Sequence, residues 1–321
     1  MLEHQPLSST INRTCYRLAV LIPCRNEGLT IARVVQQFRE RLPEADIYVY
    51  DNRSTDDTVE QAKEAGAIVR YEPQPGKGNV VRRMFADIDA DVYILVDGDN
   101  TYEVNAIHQL IDRLLNDNLD MVVGARRSKT QDKQAYRLGH RSGNLFLTGV
   151  VKFLFGSQLK DMLSGYRVFS RRFVKSFPAL SSGFEIETEL TVHTLELKIP
   201  FAEDYTLYGS RPPGSESKLK TFTDGWRVLG TAVLLFKEVR PFLFFSIISI
   251  LLALVSLSLI LPVFTTYLAT GLVPRFPTAI LAASIMLLAF LSFTCGLILD
   301  SVARGRREVK RMTYLSYNQI S

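Results

Sequence analysis

Between Pro241 and Leu299 this chain carries a single side chain with a formal charge, Arg275. Two uncharged runs, Phe242 to Leu268 and Thr278 to Leu299, lie on either side of it. As helices they would extend about 40 Å and about 33 Å at roughly 1.5 Å per residue. A bilayer's hydrocarbon core needs about 20 apolar residues, so each run is long enough to cross one. A buried hairpin in a soluble domain is the alternative, but two long apolar runs split by Gly271, Pro274 and Pro277 fit a membrane hairpin better. Basic residues set its expected orientation. Lys220, Arg227, Lys237 and Arg240 precede the first run, and Arg304, Arg306, Arg307, Lys310 and Arg311 follow the second. The positive-inside rule then places both flanks in the cytosol, as expected of a multi-pass protein of the cytoplasmic (inner) membrane.

The rest of the chain has ordinary globular composition, within an overall 321 residues, 47% hydrophobic, 22% charged and formally +5. Residues 18–22 are too short for the apolar core of a secretory signal, so none is expected. Cys15, Cys24 and Cys295 are odd in number and lack metal-ligand spacing, which suggests a reducing compartment without a disulfide framework. No basic patch interleaves with aromatics as strand-binding proteins require, so the positive charge points to anionic lipid and phosphate and not to nucleic acid.

Residues 18–123 alternate strand and helix. Strands are expected at 18–22, 47–50, 68–71, 92–96 and 121–123, with helices at 29–41, from the capping signal at Ser54 through Ala65, at 80–88 and at 106–115. That order implies an α/β fold, a mostly parallel sheet with helices on both faces. Such sheets bind ligands beyond the carboxyl ends of their strands. Polar clusters recur there: Pro23 to Glu27, Asp51-Asn52, Gly76-Lys77-Gly78, Asp97-Gly98-Asp99 and Gly124-Ala125-Arg126. Asp97 and Asp99 end an apolar strand abruptly. Burying ionised carboxylates is costly unless they are paired or bind a metal, and hard oxygen ligands suit Mg²⁺ or Mn²⁺. A solvated turn is the plainer account of that pair, because Asp-Gly favours turns.

Ile22-Pro23-Cys24-Arg25-Asn26-Glu27, Asp51-Asn52-Arg53-Ser54-Thr55-Asp56, Asp97-Gly98-Asp99 and Leu163-Ser164-Gly165-Tyr166-Arg167 resemble inverting glycosyltransferases of the GT-A fold, glycosyltransferase family 2. With two C-terminal spans, the chain is similar to the polyprenyl-phosphate glycosyltransferase branch, dolichyl-phosphate mannose synthase and its bacterial undecaprenyl-phosphate counterparts among them. The resemblance implies that Pro23, Arg25 and Glu27 line the nucleotide and that Asp51 accepts a hydrogen bond from its base. Lys77 would face the phosphates, and Asp97, Gly98 and Asp99 would hold the diphosphate through Mg²⁺ or Mn²⁺. Two positions depart from the family pattern. Asp51-Asn52-Arg53-Ser54 stands where Asp-Asp-Gly-Ser is common, and Thr101 where some relatives place a glutamine that touches the metal.

Arg126, Arg137, Arg141, Arg211 and Lys218 surround segments that resemble acceptor loops, and arginine's planar fork suits phosphate. A solvated basic surface or a lipid contact explains any single one of them equally well. Asp161 aligns with an acidic family position near the sugar, where it orients a sugar hydroxyl or pairs with Arg167. Asp99, Asp161, Arg126 and Arg211 are thus the candidate catalytic residues. Glu185, Glu187 and Glu189 are a rival site for a base, against an exposed helix turn or structural ion pairs. Phe222, Trp226, Leu229, Val233 and Phe236 recur at spacings of four and three, the pattern of a helix lying in the headgroup plane. Asn144 to Phe155 is a second interfacial candidate or a packed core helix.

The expected organisation is an N-terminal extension (1–15), a cytosolic catalytic domain (16–220), a juxtamembrane helix (221–240), two spans (241–300) and a basic cytosolic tail (301–321). The expected reaction moves a sugar from a nucleotide-diphosphate sugar to a polyprenyl phosphate at the membrane; a homo-oligomer is left open. A processive polysaccharide synthase usually has more spans and a Gln-x-x-Arg-Trp sequence, absent here. A nucleotidyltransferase would need a glycine-rich loop near the first strand, which Pro23 to Gly28 lacks. A glycosyltransferase with a different lipid or polysaccharide acceptor is one alternative, and a membrane-tethered nucleotide-sugar-binding scaffold without turnover is the alternative from a different class.

Overall fold

A computed structural model of the chain describes residues 16–128, 161–183, 185–209 and 233–319, together with positions 149 and 230. Among these residues seven strands form one sheet: β1 (Leu18–Cys24), β2 (Asp46–Asp51), β3 (Ile68–Tyr71), β4 (Val92–Leu95), β5 (Met121–Ser128), β6 (Arg167–Ser170) and β7 (Phe201–Tyr208). Their order is β3-β2-β1-β4-β6-β5-β7. Every pairing is parallel except the two made by β6, which runs antiparallel to β4 and to β5. The α/β sheet read from the sequence is therefore the sheet observed, with one reversed strand inserted.

The helices are α1 (Gly28–Arg41), α2 (Thr58–Glu64), α3 (Lys77–Asp87), α4 (Ile107–Asn116), α5 (Arg171–Ser176), α6 (Ile186–Leu197), α7 (Pro241–Thr270) and α8 (Phe276–Leu315). β1 shows why the sheet is covered on both sides. Successive side chains of a strand point to opposite faces, and Val20 and Ile22 pack with Ile31, Val35 and Phe38 of α1 and Ile111 of α4. Ala19 and Leu21 join the opposite core with Val80, Met84 and Phe85 of α3 and Phe173 of α5. A strand buried on both faces reads as a continuous apolar run, as Leu18 to Ile22 does.

β5 continues through Ser128, beyond the strand end expected at Val123. Its ladder with β7 is unbroken from Met121↔Phe201 to Ser128↔Tyr208. Gly124, Ala125 and Arg126 therefore lie within the strand and not in a loop after it. The extension follows from pairing with a partner some 80 residues away, which local periodicity does not register.

The turn after β2 carries a local cost. Arg53 has φ 64°, a left-handed conformation that penalises a Cβ. The glycine common there in the resembled family fits that backbone. Arg53→Gly is expected to stabilise the chain by about 0.5–1 kcal/mol after allowing for glycine's greater loss of chain entropy. A rise in Tm of about 1–4 °C checks this.

The described residues of Met1–Gly225 and Lys310–Ser321 form one compact unit, and those of Trp226–Val309 another. In the second unit α7 and α8 are long and apolar enough to cross a membrane. Small residues line much of their mutual contact, which Phe242 and Phe293 join with rings 5.8 Å apart. Ser256 Oγ donates to the Ala282 carbonyl at 2.7 Å and Ser249 Oγ to the Ala289 carbonyl at 2.8 Å, a seven-residue repeat in opposite directions. Ala282 and Ala289 are buried, while Leu251, Leu261, Leu287 and Phe290 stay exposed on the outer surfaces. That pattern, small side chains inside and large apolar ones outside, is how helices pack in lipid.

Candidate active site

The carboxyl ends of β1, β2 and β4 gather the polar clusters onto one rim. The loops after β1 and β2 are laced together. Asn26 N donates to Ser54 Oγ at 2.9 Å, Thr55 N to Asn26 Oδ1 at 2.8 Å, Glu27 N to Thr58 Oγ1 at 2.8 Å and Gly28 N to Asp56 Oδ2 at 3.1 Å. Pro23 lies near the end of β1 and is buried, Arg25 is exposed, and Glu27 precedes the first turn of α1. Asp51, the last residue of β2, is buried and accepts from Ser54 N at 3.2 Å. Asn52 shows why an amide suits this chain. Its Nδ2 donates to the Glu72 and Gln74 carbonyls at 2.8 and 2.7 Å, and its Oδ1 accepts from Gly76 N at 2.8 Å. It thereby holds the segment that leads into Lys77. An aspartate could accept but not donate.

Asp97, Gly98 and Asp99 follow β4. Gly98 lets the turn pack closely, because a Cβ there would overlap the Glu27 carboxylate and the Cys24 sulfur and force them to shift. Its carbonyl accepts from Thr30 Oγ1 at 2.7 Å, which fixes the turn against α1. Asp99 is 4% exposed, and its Oδ1 accepts from Thr101 Oγ1 at 2.6 Å and from Thr101 N at 3.2 Å. Thr101 therefore orients the acid beside it. Asp97 is engaged by Lys77, whose ammonium also meets Glu187 Oε1 at 2.5 Å. Burial works to lower the Lys77 pKa, but the two carboxylates outweigh it and hold the value above the ordinary lysine range. At Gly165 too a Cβ would overlap the Asp97 carboxylate and push it aside.

Asp161 pairs with Arg126 and not with Arg167. Its carboxylate accepts from Arg126 Nε at 2.8 Å, Nη2 at 2.7 Å and the main-chain N at 3.0 Å. Arg167 is fully buried; its Nε and Nη2 donate to carbonyls, those of Ser164 at 2.9 Å, Met162 at 2.5 Å and Glu187 at 3.1 Å, and its Nη1 to the Met121 sulfur at 3.6 Å. The Arg126 guanidinium also lies over the Tyr208 ring, 5.5 Å from its centroid. Burial raises the Tyr208 pKa, Asp99 adds to the rise, and Arg126 opposes it. Arg137, Arg141, Arg211 and Lys218 lie outside the described residues, as do 144–148, 150–155 and 222–229 of the two interfacial segments.

Burial by itself raises the Asp161 pKa, but hydrogen bonds and charge from Arg126 overcome it and hold the carboxyl below its ordinary value. A depressed folded-state pKa means that the unfolded chain binds more protons, so stability rises with pH across that window. The contribution of Asp161 is therefore complete above about pH 4 and declines as pH falls through the lowered value. Asp161→Asn is expected to cost about 3 kcal/mol at neutral pH, with the difference from wild type shrinking in acid. Unfolding curves of both proteins between pH 7 and pH 3 check it.

Glu187 and Glu189 have structural work. Glu189 accepts from Leu180 N at 2.8 Å and Ser181 N at 2.7 Å, holding the loop that touches the start of α3. Glu187 grips Lys77. That link and the Asp161–Arg126 pair escaped the sequence reading because no local spacing connects residues 110 and 35 positions apart. Among the described residues, no group of three or more histidine, cysteine or acidic side chains could hold a metal ion. Asp97 and Asp99 offer two carboxylates at the rim. A small hard cation accepts that donor set, because it commonly keeps one or two protein carboxylates and completes its shell with water and phosphate.

The sequence profile of glycosyl transferase family 2 matches residues 19–177, the segment that contains every rim loop described above. Glycosyltransferase AglJ of Haloferax volcanii is 36% identical over 209 residues, covering 65% of this chain and 68% of that protein. The chain belongs to glycosyl transferase family 2. A dolichyl-phosphate hexose transferase of the same archaeon is 29% identical over 211 residues, 65% of this chain and 89% of that protein. Among solved structures, glucosyl-3-phosphoglycerate synthase from Mycobacterium tuberculosis, in complex with Mn²⁺, UDP and glucosyl-3-phosphoglycerate, superposes with a TM-score of 0.55. It is 22% identical, with 70% of this chain and 81% of that chain covered, a likeness of fold. The family 2 assignment agrees with the resemblance carried by the four motifs, and the GT-A-like sheet agrees with the fold it implied.

Proposed function

We propose that this family 2 glycosyltransferase moves a sugar from a nucleotide-diphosphate sugar to a polyprenyl phosphate, undecaprenyl or dolichyl, at the cytosolic face of the cytoplasmic membrane. The observation that carries the reading is the union, in one chain, of a carboxylate-bearing sheet rim and two helices long enough to span a bilayer. A relative named for dolichyl-phosphate hexose transfer supports it. In this reading residues 16–220 are catalytic, 221–240 lie along the headgroups and 301–321 are cytosolic.

Asp97 and Asp99 would hold Mg²⁺ or Mn²⁺, which when bound neutralises charge on the departing diphosphate. Pro23, Arg25, Glu27 and Asp51 would frame the nucleoside, and Lys77 would face the diphosphate. A phosphate monoester has a second pKa near 6, so the acceptor is already an oxyanion at neutral pH and needs no general base. Its oxygen attacks the anomeric carbon and forms the new C–O bond. The opposite C–O bond breaks with its electron pair leaving on the nucleoside diphosphate, and configuration inverts. Arg126, Arg137, Arg141, Arg211 and Lys218 would hold the acceptor phosphate against repulsion from the donor. Asp161 would set the guanidinium of Arg126.

The test is incubation of the purified full chain with radiolabelled UDP- and GDP-sugars, a short polyprenyl phosphate and Mg²⁺ or Mn²⁺. Label is expected in the lipid phase with one donor. Donor binding without lipid product under every condition would favour the non-catalytic scaffold instead.

A further inference from the structure

Lys77 joins two carboxylates of unlike character. Glu187, in the first turn of α6, is 5% exposed. Its main chain is pinned separately, the carbonyl accepting from Arg167 Nη2 at 3.1 Å and Thr191 Oγ1 at 3.0 Å. The Asp97 side chain is 29% exposed and lies at the open rim. One end of the bridge is dry and fixed, and the other faces the space where a donor would enter. An ammonium and a divalent cation compete for the same Asp97 carboxylate. Lys77 holds Asp97 through Oδ1; a metal drawing on the same carboxylate weakens that hold, and a buried ammonium left without an anion is strongly unfavourable.

We propose that Glu187 is a positioning residue: it retains Lys77 in the crevice while Asp97 passes to the donor's metal, so that the lysine exchanges Asp97 for a donor phosphate oxygen. This rests on the nucleotide-sugar reading of the site. Glu187 touches no reacting atom; it sets how readily Asp97 is released and where the freed ammonium stands. Without its grip, Lys77 leans wholly on Asp97 and blocks the cation.

Mn²⁺ binding to the purified full chain, followed by loss of the free-ion electron paramagnetic resonance signal, tests this together with calorimetric binding of UDP and GDP. Glu187→Asp keeps the charge and withdraws it by one methylene. Its Mn²⁺ affinity is expected to fall about threefold to tenfold, in the lower part of the range of coupling between groups in one ionic network, and nucleoside diphosphate binding to weaken with it. Lys77→Met is expected to show the opposite split, tighter Mn²⁺ and weaker nucleoside diphosphate. In the Lys77→Met background, Glu187→Asp should no longer move Mn²⁺ affinity. An unchanged Mn²⁺ affinity in Glu187→Asp, or a shift that persists in full without Lys77, would overturn the proposal. Should Glu187→Asp fail to fold, the isosteric Glu187→Gln runs the same cycle, and a shift that survives in Lys77→Met would mark a through-space field and overturn it too. A wild-type chain that binds no Mn²⁺ would remove the metal reading along with the proposal. Variants that do not move beside a wild type that binds Mn²⁺ would remove the proposal alone.

Discussion

Asp99→Ala is expected to lower sugar transfer by about a hundredfold or more while leaving the chain folded. The lower bound comes from groups one step removed from a metal, whose loss already costs about 10- to 100-fold. Asp99 is buried at the rim, with Thr101 holding one of its oxygens. The two bonds from Thr101 close a local turn, and losing them costs about 1–3 kcal/mol of stability. Chemistry and folding therefore separate in this variant. Transfer assays beside Mn²⁺ binding check it, and normal turnover would remove the proposed role of the carboxylate pair.

Asp120→Ala is expected to have the largest effect on stability, about 3–5 kcal/mol, without entering the chemistry. Asp120 precedes β5 at the end of the sheet opposite the rim and is 1% exposed. It accepts from Ser170 Oγ at 2.5 Å, from Arg172 Nη2 at 2.5 Å and Nε at 3.2 Å, and from the Tyr314 hydroxyl at 2.5 Å. The Arg172 guanidinium lies over the Tyr314 ring, 4.4 Å from its centroid. Lys310 adds an ion pair to Glu196 at 3.0 Å. The last residues of α8 are thus part of the same compact unit as the sheet, fastened through one carboxylate. Alanine at 120 would leave a mostly buried guanidinium without its counter-charge, the costly case for ion pairs. Tyr314→Phe removes one hydrogen bond and should cost only about 1 kcal/mol. Thermal unfolding of the two variants checks the ratio: a drop of roughly 10 °C for Asp120→Ala against a few degrees for Tyr314→Phe. Equal, small shifts would show that the tail is not held through Asp120.

Much of the rim was legible from residue order. Apolar runs at Leu18, Ile47 and Val92 each end in polar residues, and parallel strands joined by helices must present those ends on one edge. Glycines at 98 and 165 were visible as motif members, but their reason was not. The first stands against Glu27 and Cys24 and the second against Asp97, contacts made only when distant segments close on one another. Asp161 had two equally good assignments in sequence, a sugar hydroxyl or Arg167, and the structure replaces the second with a bidentate contact from Arg126. Asp120 and Tyr314 gave no signal at all, since 194 positions separate them.

From residue order alone came the two apolar spans, the alternation that makes an α/β sheet, and the acids at a strand's end, because hydropathy period, run length and chain punctuation act over a few neighbours. Tertiary structure alone decided the reversed β6, the length of β5, the lysine shared by Asp97 and Glu187, and the anchoring of the tail. These depend on which charges and donors end within about 3 Å of one another, and that distance is set by packing across the whole unit.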